Sequence, residues 1–373
     1  VGAAFTAALA TVIAGSPPAS AEVPVRADTA FIIPGASFDA WAPDILEPND
    51  PWANDGPLVP LINAHYYDCA GCAGTVIRYP RTAGPLFGPG VPYADESIAI
   101  GNAAVRDELT RADTPTVISA LSMGAMVSDA VQRDLDADPS RPDPSQVSFI
   151  VTGDPTRSTP LSTGIGSLMP AGLQLPVFGW TVTRPASESH YDTVVVVGEY
   201  EWAADFPDRP WNLLADLNSL IAFQYNHSEA SFTKPTDIPP DNIVITTNSA
   251  GATTSTYLVP SPQLPLVKPF EEILPPSVIS TANEVLTPMV QRGYSRYDSV
   301  TGNRMPYLEP TDGFPELIVP PDRKPATTPA DITAIPSRTP ARTPRPALVG
   351  AAPGADSRPP HTAPRPRAAD RRW

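Results

Sequence analysis

Ser122 lies where an apolar, β-branched run, Pro115-Thr116-Val117-Ile118-Ser119-Ala120-Leu121, gives way to the helix-forming Gly124-Ala125-Met126-Val127-Ser128-Asp129-Ala130-Val131. A strand that turns straight into a helix brings backbone close around the junction residue. Only small side chains fit two positions before and after it, and the junction side chain is lifted above the sheet, which is the geometry of a nucleophile elbow. Among the serines of the chain, Ser122 alone has Gly or Ala at both places, Ala120 and Gly124. Ala120 stands where such elbows usually carry Gly.

A serine hydroxyl is a poor nucleophile until a base takes its proton, so a histidine is required. The chain has four. His361 falls in a proline-rich tail, His190 precedes the strand it adjoins, and His65 precedes the serine. His227 follows both the last central strand and a helix, which returns the chain to the carboxyl edge of the sheet, where open parallel sheets gather their chemistry. It also gives the order serine, acid, histidine of α/β-hydrolases. The acid belongs between them at a strand end. Asp205, after the Val-rich run, is the first choice and Asp154 the alternative, with Asp208 and Glu201 behind them. The N–H of Met123, at a helix N-terminus, is the expected main oxyanion donor. The turn at Ala36 and Ser37, after the short strand Thr29-Ala30-Phe31-Ile32-Ile33, is the expected second.

The elements that must position these groups alternate between strand and helix. Leu58–Ile62 and Thr75–Pro80 read as strands around a cysteine turn, and a helix opens near Asp95 and runs to about Thr110. The Ser122 strand and helix follow, then strands at Gln146–Thr152 and Thr193–Gly198 and a helix over Asn212–Ile221. This pattern predicts an α/β fold with a central, mostly parallel sheet flanked by helices. Residues 156–190 form a long irregular connection of the kind that serves as a lid or binding segment. From 256 to 319 the alternation is expected to stop. There Val278, Ala282, Val285, Leu286, Met289 and Val290 mark one apolar helix face, read as core packed on the sheet, with a lid over an acyl groove as the sharper alternative.

Composition narrows the function. The chain carries 40 Asp/Glu against 25 Lys/Arg, a net charge of −15. The positive charge gathers at 320–373, so the body is more acidic still. An acidic body repels phosphates and the basic tail has one aromatic, so no nucleic-acid partner is expected. The 50 prolines exceed what an ordinary globular chain holds. Repeats such as Thr339-Pro340-Ala341-Arg342-Thr343-Pro344-Arg345-Pro346 predict a disordered tail. Val1–Ala14 is apolar and uncharged and is followed by Ser16-Pro17-Pro18 and the small residues Ala19-Ser20-Ala21, as in a signal peptide or N-terminal anchor. Export to the cell envelope or beyond follows, and with it a disulfide between Cys69 and Cys72. No second cysteine pair or histidine cluster completes a metal site, and no phosphate loop is present, so neither metal nor cofactor is expected. The oligomeric state is left open.

The chain resembles the PE-PPE domain family of mycobacteria and their relatives, a group of cutinase-like serine α/β-hydrolases. The likeness runs from about Ile32 to Tyr294. It rests on Ile33-Pro34-Gly35, Glu96-Ser97-Ile98 with Gly101, the Ser122 elbow and Gly153-Asp154-Pro155. Further markers are Tyr200 with Ala204-Asp205-Phe206-Pro207, Asn212-Leu213-Leu214-Ala215-Asp216-Leu217-Asn218, His227, Tyr257-Leu258-Val259-Pro260, Leu264-Pro265-Leu266 and Gly293-Tyr294. The family's serine, aspartate and histidine fall on Ser122, Asp205 and His227. Ala36 stands where the family often has Thr, and no PE or PPE helical module precedes the domain, as in stand-alone exported members.

The resemblance implies an envelope serine esterase or lipase, or an acyltransferase moving fatty acyl chains between trehalose glycolipids. Its partner would be an acyl lipid or glycolipid substrate, at the cell envelope or a membrane surface. The competing class is a non-catalytic lipid- or wall-binding protein on a hydrolase scaffold, which the Ala120 and Ala36 departures favour slightly and the intact Ser122, Asp205 and His227 count against. The expected layout is a signal or anchor over 1–21, a hydrolase core over 22–255, a C-terminal part with a candidate lid over 256–319, and a disordered tail over 320–373.

Overall fold

A computed structural model describes residues 25–37, 56–69 and 74–320. The expected leader at 1–21, Cys72 and the tail beyond Pro320 lie outside the described residues. Seven strands form one sheet: β1 (Thr29–Ile33), β2 (Thr75–Val76), β3 (Thr116–Leu121), β4 (Val147–Thr152), β5 (Thr193–Gly198), β6 (Ile243–Thr247) and β7 (Thr253–Val259). Their order across the sheet is β6-β7-β5-β4-β3-β1-β2. Every neighbouring pair is parallel except β6 with β7. The α/β class read from the alternation is the fold observed, and its sheet and flanking helices are consistent with an α/β-hydrolase.

The central strands are apolar at successive positions because both faces of the sheet are covered. In β3 the alternation of side chains sends Ile118 and Ala120 into a core shared with helices α1 (Ala94–Leu109) and α2 (Met123–Ala137), through Val105, Val127 and Val131. Val117 and Leu121 enter the opposite core, with Val59, Ile62 and Tyr66. All six β3 residues are buried.

Three sequence expectations are corrected. Leu58–Ile62 is a 3-10 turn over Val59–Leu61 rather than a strand, because Pro60 enters the first turn and lacks the N–H a ladder needs. The alternation does not stop at 256: β7 crosses that point and lies parallel against β5, so the division expected at 255/256 falls inside a strand. The apolar face of helix α4 (Pro276–Gln291) does not pack on the sheet. Ile279 and Val290 are buried against helix α3 (Leu213–Asn226) and its neighbours, whereas Val278, Val285 and Met289 are exposed. Among the described residues no helix is long and apolar enough to cross a membrane. Cys69 is disulfide-bonded.

Candidate active site

Ser122 occupies the junction between β3 and α2 with φ 57° and ψ −119°, a conformation L-residues rarely adopt. The surroundings hold it there. Its N–H donates to the Thr152 carbonyl at the end of β4 (2.8 Å), and its carbonyl accepts the first bonds of α2 from Ala125 and Met126. Gly124 is obligatory, since a Cβ there would run into the carbonyl oxygen of Ile33. Ala120 is tolerated in place of Gly because its methyl points into the α1/α2 core, where it is fully buried. Beneath the elbow, buried Asn63 donates from Nδ2 to Ser119 Oγ and the Ala120 carbonyl (3.2 Å each), while its Oδ1 accepts from Thr152 Oγ1 (2.5 Å). Sequence reasoning missed Asn63. Its only outward signal is an Asn after an apolar turn, and it takes φ 56°, which Asn tolerates better than most residues.

His227 caps the C-terminus of α3 and is buried. The expected helix end near Ile221 therefore comes five residues later, at Asn226. Phe223, one turn earlier, stacks on the imidazole with centroids 4.3 Å apart, and Trp202 meets Phe223 edge-on at 6.1 Å. Below the ring is Gly153, the residue after β4. Its φ is +64°, and a Cβ there would come 2.5 Å from His227 Cε1. The Ser122 N–H is bonded to Thr152 and His227 rests on Gly153, so the two residues meet at one strand end. Both line one cavity of about 850 Å³.

The acid facing His227 is not the one expected. His227 Nδ1 bonds Glu201 Oε2 at 2.8 Å, and Nε2 has no protein partner. Glu201 is fully buried and also accepts the N–H groups of Ala203 (3.0 Å) and Ala204 (2.6 Å). A carboxylate oxygen accepting at Nδ1 fixes the Nδ1–H tautomer, which leaves the Nε2 lone pair free. Asp205 lies elsewhere. Arg296 donates to both its oxygens (2.5 and 2.7 Å), and the Tyr200 N–H donates to Oδ2 (2.6 Å). Burial pushes the Asp205 carboxyl up to about 6 against the pull of Arg296, and the bidentate geometry is that of an anion held by a guanidinium. Arg296 is packed against the rings of Tyr294 (4.5 Å) and Tyr297 (4.8 Å). The physical reason for the exchange is Tyr200, at φ 66°, which reverses the chain directly after β5 and leaves Glu201 at the carboxyl edge. Asp205 is carried one turn further, to the arginine.

Asp154, Asp208 and His190 have partners of their own. Asp154 bonds the Thr156 backbone and Oγ1 and Arg157 Nε, forming with Asp129 a buried cluster that does not include His227. Asp208 accepts from Ser295. His190 pairs with Asp136 at 3.1 Å. Met123 is the first residue of α2, so its N–H has no intrahelical acceptor and stands beside the Ser122 side chain. Ala36 and Ser37 reach the cavity wall, but the Ser37 N–H, expected as the second oxyanion donor, is already taken: it donates to the Arg81 carbonyl at 2.9 Å. Arg81 Nε in turn donates to the Gly35 carbonyl at 2.6 Å and so fixes this turn. The cavity wall is also built from Phe87, Met126, Met169, Leu175, Phe178 and Trp180, which make it a largely apolar container. Among the described residues no group of His, Cys, Asp and Glu could hold a metal ion.

Proteins of Mycobacterium tuberculosis (strain H37Rv) are similar to this chain, three of them with a named activity. SL1278 acyltransferase Chp1 is 35% identical over 295 residues, covering 78% of this chain and 70% of the relative. Diacyltrehalose acyltransferase Chp2 is 36% identical over 62% of this chain and 64% of the relative. Esterase PE16 is 30% identical over 63% of this chain and 44% of the relative. The PE-PPE domain family matches residues 70–295, which hold the elbow, Glu201, Asp205 and His227. With more than half its length inside that match, the chain belongs to the PE-PPE domain family.

Proposed function

We propose that this protein is a serine esterase or acyltransferase that forms an acyl-enzyme on Ser122, with His227 as general base and Glu201 as the acid that orients it. The class of activity is that of its relatives, named acyltransferases and an esterase, and an acyl ester is the substrate class they share. One observation carries the assignment of residues. His227 is bonded at Nδ1 to a buried carboxylate, and its Nε2 is unpartnered in the cavity that Ser122 lines.

In the first half-reaction Ser122 Oγ attacks the ester carbonyl carbon while its proton passes to His227 Nε2. Negative charge develops on the carbonyl oxygen, which the Met123 N–H receives at the helix N-terminus. Glu201 stabilises the imidazolium without taking its proton. The imidazolium then gives the proton to the leaving alcohol, and the acyl chain stays in the apolar container on Ser122. In the second half-reaction His227 activates an incoming hydroxyl, water for hydrolysis or a sugar hydroxyl for transfer. Chp2 is named for diacyltrehalose, and a trehalose glycolipid as acyl acceptor is the corresponding reading for this chain. Export to the cell envelope belongs to the same reading, supported by the apolar run and small residues within 1–21.

Covalent labelling by a fluorophosphonate tests this. The wild-type protein is expected to label, and Ser122→Ala, His227→Ala and Glu201→Gln to label little or not at all. A folded wild type that takes no label in the presence of lipid overturns the reading. Loss at Asp205→Asn with full labelling of Glu201→Gln reassigns the acid.

A further inference from the structure

Helix α3 is built inside out. Its inward face carries Ala215, Asn218, Ser219, Ala222 and Asn226, small or polar residues, all buried. Its outward face carries Leu213, Leu217 and Leu220 at helical spacing, with 77%, 48% and 59% of their surface exposed. An ordinary surface helix shows the reverse, as α2 does in burying Val127, Val131 and Leu135. The polar residues inside are anchored by hydrogen bonds, although Asn218 Nδ2 has no partner among the described residues. Asn218 Oδ1 accepts the Leu266 N–H (3.0 Å), and Asn226 Nδ2 donates to the Glu199 carbonyl (2.8 Å). The helix is thus held firmly in this rotation, and its leucines cannot turn inward. Along its 14 residues the one charge is Asp216.

Two further observations identify what the face meets. The stripe runs into the active-site cavity. Phe223, one turn beyond Leu220, is 41% exposed, yet it also lines the cavity and stacks on His227. At the other end of α3, Asn212 Nδ2 donates to the carbonyl of Met289 on α4, whose side chain is exposed. An uncharged apolar strip that opens into an apolar acyl container matches a surface of acyl chains in both polarity and charge.

We propose that the outward face of α3 docks on a lipid surface and sets the mouth of the Ser122 cavity against the acyl chains there. This rests on the esterase or acyltransferase reading of the site. Because the strip carries no positive charge, docking is driven by apolar burial and needs no anionic lipid.

The test is co-flotation of the full chain with phosphatidylcholine vesicles, beside hydrolysis of a soluble short-chain p-nitrophenyl ester. The wild type is expected to float. Leu217→Glu combined with Leu220→Glu should lower the vesicle-bound fraction at least tenfold and leave soluble-ester turnover within about twofold, since neither residue lines the cavity. Leu217→Met should still float, which controls for folding. Wild type that turns over the soluble ester but stays with the unbound protein overturns the docking surface and leaves the enzyme reading standing. A concentration-dependent dimer in sedimentation, dispersed by Leu217→Glu, overturns it in favour of a second copy of the chain. Flotation lost in the glutamate variant, with no fluorophosphonate labelling of wild type, supports the docking face and removes the enzyme.

Discussion

Glu201 and Asp205 are two carboxylates four residues apart in one turn, both fully buried, yet they have different partners. Glu201 meets a histidine and two backbone N–H groups, and Asp205 meets an arginine and one. One is bonded to the histidine that lines the same cavity as Ser122. The other ties the loop after β5 to residues nearly a hundred positions later. Burial alone therefore does not mark a catalytic acid; what lies across from the carboxylate decides its role.

The sharpest break of that comparison is Glu201→Gln. It keeps the shape and removes the charge that fixes the tautomer, so kcat should fall by roughly a thousandfold or more, with the protein still folded by circular dichroism. Asp205→Asn should act through stability, because it strands Arg296 without its anion. A loss of about 3–5 kcal/mol in urea unfolding is expected, with the activity of the folded fraction nearly unchanged. If the two variants exchange these phenotypes, the roles are exchanged as well.

Gly153→Ala sharpens the picture from the other side of the imidazole. The new methyl has no room beside Cε1, so the ring must shift, and kcat should drop up to about a hundredfold with a smaller change in KM. The smallest effect belongs to a third buried carboxyl, Asp129. Burial first, and then the charge of Asp154 against the opposite pull of Arg157, push it up to about 7. The folded state then holds a proton that the unfolded chain, with an ordinary pKa of 3.8, has already lost. Stability should therefore decline as pH rises from about 4 to about 7. Asp129→Asn should flatten that decline, read as a smaller Tm difference between pH 5 and pH 8.

The serine side of the site was legible because its chemistry is local. An apolar strand, a junction serine and a flanking glycine are adjacent in sequence, and the backbone strain at Ser122 follows from them. His227 was reachable by elimination among four histidines and by chain order. The carboxyl bonded to its Nδ1 was not, because both candidates follow the same strand within a few residues. What separates them is the reversal at Tyr200 and the arrival of Arg296 from far along the chain, neither of which leaves a local pattern. Asn63 was hidden in the same way, since its partners Ser119 and Thr152 lie on strands brought together only by the sheet. Strand β7 escaped because its first four residues, Thr253-Thr254-Ser255-Thr256, look like a polar loop until β5 and β6 enclose the strand on both sides.

The amide side chains of α3 have a mechanical consequence. Asn212 fastens its start to α4, Asn218 its middle to Leu266, and Asn226 its end to Glu199. A helix pinned at three points cannot roll, so it moves as a stiff rod, and His227 sits at the tip of that rod. A force applied along the leucines is therefore delivered to the imidazole with little absorbed on the way, and small displacements of α3 become changes in how far Nε2 reaches toward Ser122.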